Sequence, residues 1–418
     1  MAAQVDVIAA TSTPIALGTA RAKAGALSLI TPTKGLALQL GSKAFSVHSP
    51  SNAAVNPLAN GSQQTFFVNP TSIVPDVINK INLVFSLTNV GGVNPINLAC
   101  YAASIIVQYE IKVGSSLQQT YRGEALSLQS LLNYSTETWG SRGAQEGVNV
   151  AGGYVPAATA IAPGATVQFT VPLWTMFDNA ALFVRAMGAS APDLQFTIQW
   201  ATAASITTGG AAADLLLSNS NLYVTGYKFV QEVREKLLME HRSTAFVSRC
   251  YEPKVQIVSL SNGVQAGTSI TTQIGGGLFG LSAAIVHFVR PINATPAQLI
   301  APVANSTTAW NLSLGSQPLI QFPPNSDAVF FRNTMCGAPQ VLGGPAITAL
   351  ALNLACFAVE LTRCLEEGCS LGSYFIASTL SLQATSGVTN ANVELLTVSY
   401  NFGLFIQNGS QLSLQTTV

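Results

Sequence analysis

The chain has 418 residues, enough for two domains of ordinary size, and 48% of them are hydrophobic, which excludes an intrinsically disordered protein. Only 9% of the residues are charged, against about a quarter in a usual soluble domain, so few ions would need to be desolvated when neighbouring subunits cover the surface. Because 18 basic residues balance 18 acidic ones, the chain lacks the electrostatic attraction by which basic proteins bind nucleic acid or anionic membranes.

Residues 1–40 form the first segment and are rich in Ala, Leu and Thr. Asp6 stands where a secretory signal peptide carries Lys or Arg, and Pro14 interrupts the apolar stretch that follows. We therefore interpret residues 1–40 as an N-terminal arm of the mature protein.

Apolar residues then alternate with polar ones in five segments, a pattern that predicts β-strands with one buried face. These segments are residues 81–87, 107–113, 167–173, 194–200 and 396–406. In the second segment the odd-numbered residues from Val107 to Val113 are expected to be buried, and in the last segment the even-numbered residues from Leu396 to Ile406. Clusters of Gly, Pro and Asn separate the segments, so the sequence predicts an all-β protein built as a sandwich.

One charged segment interrupts this pattern, because ten of the 27 residues from 228 to 254 are charged. Within it, Glu232 and Lys236 stand four residues apart, and the apolar spacing predicts a helix of about four turns. The predicted helical stripe consists of Phe229, Val230, Val233, Leu237 and His241. We interpret the helix as a connector between two domains, with a solvated surface helix as the alternative.

The predicted domain organisation follows from this connector. It comprises the arm at residues 1–40, a first domain at 41–226, a connecting helix at 227–246 and a second domain at 247–418. Two long uncharged stretches, 255–289 and 333–359, contain Gly, Pro, Asn or Gln clusters, so we interpret them as strands and turns rather than membrane spans.

Two catalytic-looking motifs lack the context that their chemistry requires. Gly275, Gly277 and Gly280 match G-x-G-x-x-G, but a strand-like segment follows, and no acidic residue occurs between Glu252 and Asp327 to bind a ribose. Ser370 matches the G-x-S-x-G elbow, which needs a histidine later in the chain. The last histidine precedes it, so both motifs are interpreted as turns.

Metal and acid–base sites are also not indicated. The histidines (His48, His241 and His287) and the cysteines (Cys100, Cys250, Cys336, Cys356, Cys364 and Cys369) show no metal-binding spacing. Free thiols are expected, and a local disulfide between Cys364 and Cys369 stays open. Glu366 and Glu367 are adjacent and would point to opposite faces of a strand. A glycosidase pair from distant acids such as Glu110 and Glu124 is conceivable, but nothing in the sequence favours it. The sequence thus predicts no catalytic residue, no cofactor and no metal site.

The order of the elements resembles the double-jelly-roll major capsid proteins of membrane-containing icosahedral viruses, the tectivirus-type and large-DNA-virus lineage. Residues 103–134 resemble a first-roll strand with the helical segment that follows it. Residues 161–205 resemble two further strands, 221–241 the last strand of the first roll with the connecting helix, and 393–410 the closing strand of the second roll.

This resemblance implies two consecutive eight-stranded jelly rolls and a structural, non-enzymatic function. The chain would form homotrimers. Each homotrimer would be a pseudo-hexagonal capsomer, and the capsomers would tile an icosahedral shell around a lipid membrane and the genome. The protein would be synthesised in the host cytoplasm and become part of the capsid shell of the virion. A bacterial host is favoured. Expected partners are further copies of the chain, minor capsid and vertex proteins, and the internal membrane on the side of the arm, without sequence-specific nucleic-acid binding.

The part of the arm from Met1 to about Thr33 is expected to become ordered only in the assembled particle. It is expected to lie on the inner side of the particle. Its basic residues Arg21, Lys23 and Lys34 suit anionic lipid headgroups; a terminus without a function is the alternative.

Two other functions stay open for the whole chain. A jelly-roll carbohydrate-active enzyme or amidase would have a cleft with two carboxylates, and a secreted lectin-like adhesin would be a sugar-binding monomer.

Overall fold

The computed structural model describes most of the chain from residue 41 onward. The described ranges are 41–52, 56–98, 102–127, 148–149, 155–156, 159–175, 182–188, 192–243, 245–260, 269–274, 282–296, 307–314, 317–322, 356–360, 380–386, 393–409 and 411–416. The predicted N-terminal arm therefore lies outside the described residues.

Antiparallel strands dominate the described residues. In chain order they are β1 (Gly41–His48), β2 (Gln63–Val68), β3 (Val77–Asn89), β4 (Ile96–Leu98), β5 (Ile106–Val113), β6 (Ser116–Arg122), β7 (Val148–Asn149), β8 (Val155–Pro156), β9 (Thr159–Ile161), β10 (Thr166–Leu173), β11 (Leu182–Phe183), β12 (Leu194–Trp200), β13 (Thr207–Gly209), β14 (Leu215–Phe229), β15 (Phe246–Leu260), β16 (Ser269–Ile274), β17 (Ser282–Pro291), β18 (Thr307–Leu314), β19 (Gln317–Phe322), β20 (Cys356–Glu360), β21 (Leu380–Ser386), β22 (Val393–Asn408) and β23 (Gln411–Thr416). The prediction of an all-β protein is confirmed.

Short helical segments join some of these strands. They are Ala102–Ile105, Val184–Met187, Ala203–Ile206 and Ala212–Asp214, and a longer one, called the linker helix below, is Gln231–Ser243. Among the described residues, no helix is long and apolar enough to cross a membrane.

The strands form two sandwiches with the same internal order. In the first roll, the sheet β1-β14-β3-β10 faces the sheet β2-β12-β5-β6. In the second roll, the sheet β15-β22-β17-β20 faces the sheet β16-β21-β18-β19. Counting the eight main strands of either roll in sequence, both have the order 1-8-3-6 in one sheet and 2-7-4-5 in the other, which is the jelly-roll arrangement. The fold is therefore a double jelly roll, as the resemblance to the capsid proteins implies.

The core of the first roll lies between its two sheets and shows the expected alternation. Phe85 on β3 is fully buried, and its ring lies 5.1 Å from Trp200 of the opposite sheet and 5.6 Å from Phe169 of β10. The indole N–H of Trp200 donates to the side-chain oxygen of Gln64 (3.1 Å), which also accepts from Ser220 (2.8 Å). The two sheets are thus joined by aromatic packing and by a satisfied buried polar group.

The predicted alternation is wrong at Val107. Its side chain is 42% exposed, whereas the neighbouring Ile106 is fully buried. The pairing of β12 with β5 shifts register at this point, since Gln199 pairs with Gln108 but Trp200 pairs with Ile106. This bulge leaves Val107 unpaired and turns it outward.

The linker helix also begins later than the predicted stripe. Phe229 is the last residue of β14, and the helix starts at Gln231. Val233 and Leu237 pack with Phe229 as predicted, but Val230 is 47% exposed.

Gly226 of β14 permits a close approach of two backbones. It is buried where the pairing of β14 with β3 shifts register, and a Cβ atom at this position would lie 1.7 Å from the carbonyl oxygen of Val77. We expect Gly226→Ala to lower the free energy of unfolding by about 3 kcal/mol, because the strands must separate to admit the methyl group. The urea midpoint measures this loss. Gly92→Ala is the matched control, since nothing lies within 4 Å of its Cβ position; equal midpoints for the two variants would contradict the prediction.

Candidate assembly site between the two rolls

A cluster of four charges, three of them buried, joins the two rolls at the end where β3 and β17 terminate. We define this charge cluster as Arg122, Glu124, Arg290 and Glu394. Arg290 and Glu394 lie directly opposite each other on β17 and β22, with 2.6 Å between Nε and Oε1. Arg290 Nη2 lies 3.3 Å from Oε1 of Glu124 in the first roll. The same oxygen accepts from Arg122 at 3.0 Å.

Burial makes this cluster energetically important. The side chains of Arg290, Glu124 and Glu394 are 3%, 5% and 7% exposed, respectively. Arg122 is 47% exposed, whereas the other three ions are removed from water and each has an oppositely charged partner in the cluster. The cluster therefore fixes the two rolls relative to each other at this end.

A neutral contact joins the rolls at the opposite end, where the linker helix leaves β14. The backbone N–H of Phe183 on β11 donates to Oε1 of Gln407 (3.0 Å), and Nε2 of Gln407 donates to the carbonyl of Phe183 (2.7 Å). Gln407 is fully buried. Its side-chain amide thus satisfies both backbone groups of Phe183 in place of a neighbouring strand.

Apolar side chains accompany this amide contact. Phe405 on β22 and Leu412 on β23 belong to the hydrophobic core cluster of the first roll. Phe405 and Gln407 share one face of β22, and Leu412 pairs with Gln407. Because these residues contact the first roll, this face is the outer face of the sheet β15-β22-β17-β20. Strands β15 and β23 lie beside β6 of the first roll.

Because of this contact, the predicted alternation at residues 396–406 is wrong at Phe405. The sequence places Phe405 among the exposed positions, but Phe405 is fully buried, whereas Ile406 is only partly buried. All six residues from 393 to 398 are buried as well. Strand β22 is therefore covered on both faces at residues 393–398, and Phe405 and Gln407 are covered by the first roll.

Asp76 anchors the linker helix to the same end of the first roll. Its fully buried carboxylate accepts from Nε of Arg185 (2.9 Å) and from the backbone N–H of Phe229 (2.8 Å), and it lies 3.9 Å from Nη1 of Arg234 in the linker helix. Arg185 also donates to three carbonyl groups of one loop, those of Pro70, Thr71 and Ile73. Asp76 thus connects that loop, the end of β14 and the linker helix.

The acids that could have formed a glycosidase pair have other partners. Glu110 on β5 forms an ion pair with Lys112 (2.7 Å). Glu124 belongs to the charge cluster. Gly275, Gly277, Gly280, Glu366, Glu367, Ser370 and the pair Cys364 and Cys369 lie outside the described residues. Within the described part of the chain, no group of three His, Cys, Asp or Glu residues could hold a metal ion.

His48 is the histidine whose surroundings the structure describes. It lies on β1 with Nε2 3.2 Å from the hydroxyl of Ser46. Burial lowers its pKa from the ordinary value of 6.5, and a backbone hydrogen bond with Phe67 opposes this only in part. The folded protein therefore favours the neutral imidazole.

A pH dependence follows from this shift. Because the pKa is lower in the folded state, the contribution of His48 to stability is complete above pH 6.5 and is lost as the pH falls through 6.5 towards the folded pKa. We expect the urea midpoint to fall less between about pH 7.5 and 5.5 in His48→Gln than in the wild type. The same pH slope in both proteins would show that His48 has no part in it.

Comparison with known proteins places the fold. No protein-family model matches the chain, and no curated protein matches its sequence. Among solved structures, VP54 of PBCV-1, in a crystal structure fitted into a reconstruction of the virophage Sputnik, is similar with a TM-score of 0.62 at 11% identity, covering 90% of this chain and 97% of that one. A chain of the Sputnik virophage structure has a TM-score of 0.57 at 10% identity over 91% and 89% of the two chains. The Faustovirus major capsid protein has a TM-score of 0.55 at 11% identity over 87% and 90%.

Proposed function

We propose that this chain is a viral major capsid protein that associates with itself to build the shell of a virion. The observation that carries the proposal is the pair of jelly rolls with identical strand order, fixed side by side by the charge cluster and by Gln407. Structures with this fold, the Faustovirus major capsid protein among them, extend over nearly the whole chain.

In this proposal three chains form one capsomer. Each chain contributes two similar rolls, so a trimer has a pseudo-hexagonal outline and can tile an icosahedral shell around an internal membrane and the genome. Minor capsid and vertex proteins are the further proposed partners. The low charge of the chain supports the proposal, because a surface with few ions loses little hydration when neighbours cover it.

The test is to express the full chain and measure its mass by light scattering, then to image assemblies by electron microscopy. The expected mass is about 130 kDa, three times the 43.5 kDa of one chain. A monomer that releases product from a glycan would instead support the carbohydrate-active enzyme. A monomer that binds sugar without cleaving it would support the lectin-like adhesin.

We also propose that the arm contacts the inner side of the particle and the membrane. Its three basic residues would each contribute roughly 1 kcal/mol near an anionic surface. Deleting residues 2–30 tests this separately: trimers should form, but membrane-filled particles should not. Unchanged particles of normal size would rule out the proposed contribution of the arm.

A further inference from the structure

We propose that the outer face of the sheet β1-β14-β3-β10 binds a second copy of this chain, at the edge of its second roll formed by β19. This inference rests on the proposed function, which requires chains to associate. It specifies which surface of one chain meets which edge of the next.

The contact within the chain provides the first argument. The second roll packs on the first through the outer face of β15-β22-β17-β20, and it meets the first roll beside β6. The two rolls have the same strand order, so β1-β14-β3-β10 corresponds to the sheet that makes this contact, and β19 corresponds to the strand that receives it. Among the described residues, each chain thus has one such face and one such edge that the contact between its own rolls does not use.

The first roll's outer face carries exposed apolar side chains on its edge strand β1, beside Lys43 on the same face. On β1, Phe45 is 62% exposed and Val47 is 44% exposed. They pair with Thr225 and Tyr223 of β14, which are partly buried on the same face. In the second roll, the corresponding face carries Phe405, which is fully buried against the first roll.

The opposite sheet of the first roll has a different outer face. Its side chains include several glutamines that are exposed or partly exposed, namely Gln63, Gln108, Gln195 and Gln199. Phe67 is an exposed aromatic residue on this face, at 44%. The same face also exposes Val107 (42%) and Leu117 (53%), so apolar exposure is found on both sheets. The choice of the β1 face rests on its correspondence to β15-β22-β17-β20, the sheet that makes the contact within the chain.

The receiving edge is also open in the described part of the chain. There, β19 pairs with β18 alone, just as β6 pairs with β5 alone in the first roll. A face-to-edge contact is heterologous, so it must either close into a ring or continue as a filament. Six rolls from three chains close the ring when each contact turns the next roll by about 60°.

A double variant tests the face. Phe45→Glu with Val47→Glu places two charges on the proposed interface at positions already exposed in one chain, so folding should be little affected. Light scattering should give 43.5 kDa for this variant, a threefold drop from the wild-type mass. The matched control is Phe67→Glu, equal to Val47 in exposure but on the other sheet, which should keep the wild-type mass.

The outcomes separate this inference from the proposed function. A trimeric wild type with a trimeric double variant overturns the inference and leaves the proposed function intact. A monomeric wild type overturns the proposed function itself. Loss of the trimer in Phe67→Glu as well as in the double variant would overturn the assignment of the interface to the β1 face.

A photo-cross-link tests the edge without depending on a destabilising change. Benzoylphenylalanine in place of Phe45 retains an aromatic side chain, and mass spectrometry identifies the peptide to which it is joined in a cross-linked dimer. We expect the peptide that contains residues 317–322 of β19. A cross-link to residues 41–229 of the other chain, or no cross-link between chains, would overturn the inference.

Discussion

Replacing Arg290 by Met is expected to lower the free energy of unfolding by about 3–5 kcal/mol, among the largest effects of any single substitution in this chain. Methionine fills much of the same space, so the loss comes chiefly from charge. Glu394 would lose the guanidinium at 2.6 Å while staying 7% exposed, and Glu124 would keep Arg122 but lose the other of its two described guanidinium partners. Urea unfolding at neutral pH measures the change.

An exposed ion pair provides the matched control. Lys112→Met breaks the ion pair between Lys112 (29% exposed) and Glu110 (21% exposed). This should lower the free energy of unfolding by less than about 1 kcal/mol. Equal losses in the two variants would show that burial adds nothing to the charge cluster.

A triple replacement separates the cost of unpaired charge from the loss of packing. Changing Glu124 and Glu394 to Leu in the Arg290→Met background removes all three buried ions that link the rolls. We expect the urea midpoint to rise again towards the wild-type value, because apolar groups of similar volume can replace a buried ion network. No recovery would mean that the geometry of the cluster, rather than its charge, holds the rolls together.

The strands of the first roll were predictable because alternation is a local property. Leu83, Phe85 and Leu87 are buried as predicted, since the period of two fixes which side chains share a face. The burial of Ile106 and the exposure of Val107 could not be predicted in this way. It depends on the bulge at which β5 pairs with β12, where the paired residues Ile106 and Trp200 are far apart in the sequence.

The assembly site was largely beyond sequence reasoning for the same reason. Arg290 meets Glu394 across 104 residues and Glu124 across 166, and no spacing rule connects such positions. A weak signal existed, because Arg290 directly follows the long uncharged stretch 255–289, where a charge needs a partner if it is buried. Gln407 and Phe405 gave no local signal, since β22 has the same pattern whether or not a second roll covers it.

Asp76 should show the second large effect. In Asp76→Ala the buried N–H of Phe229 loses its acceptor, and Arg185 loses the carboxylate at 2.9 Å. We expect a loss of about 3–5 kcal/mol in the free energy of unfolding, comparable to that from breaking other buried charge pairs. Asp193→Ala, at a partly exposed position, is the control and should cost no more than about 0.5 kcal/mol.

Limited proteolysis distinguishes the anchoring of the linker helix from general destabilisation. Asp76 holds the residue at the end of β14 and faces Arg234, so its removal frees the start of the linker helix before either sandwich opens. Trypsin should then cut Asp76→Ala at Arg234 or Lys236 and release two fragments that each resist further digestion. Arg290→Met, which leaves this anchor in place, should not become sensitive there. If both variants are cut equally, the helix is held by the contact between the rolls and not by Asp76.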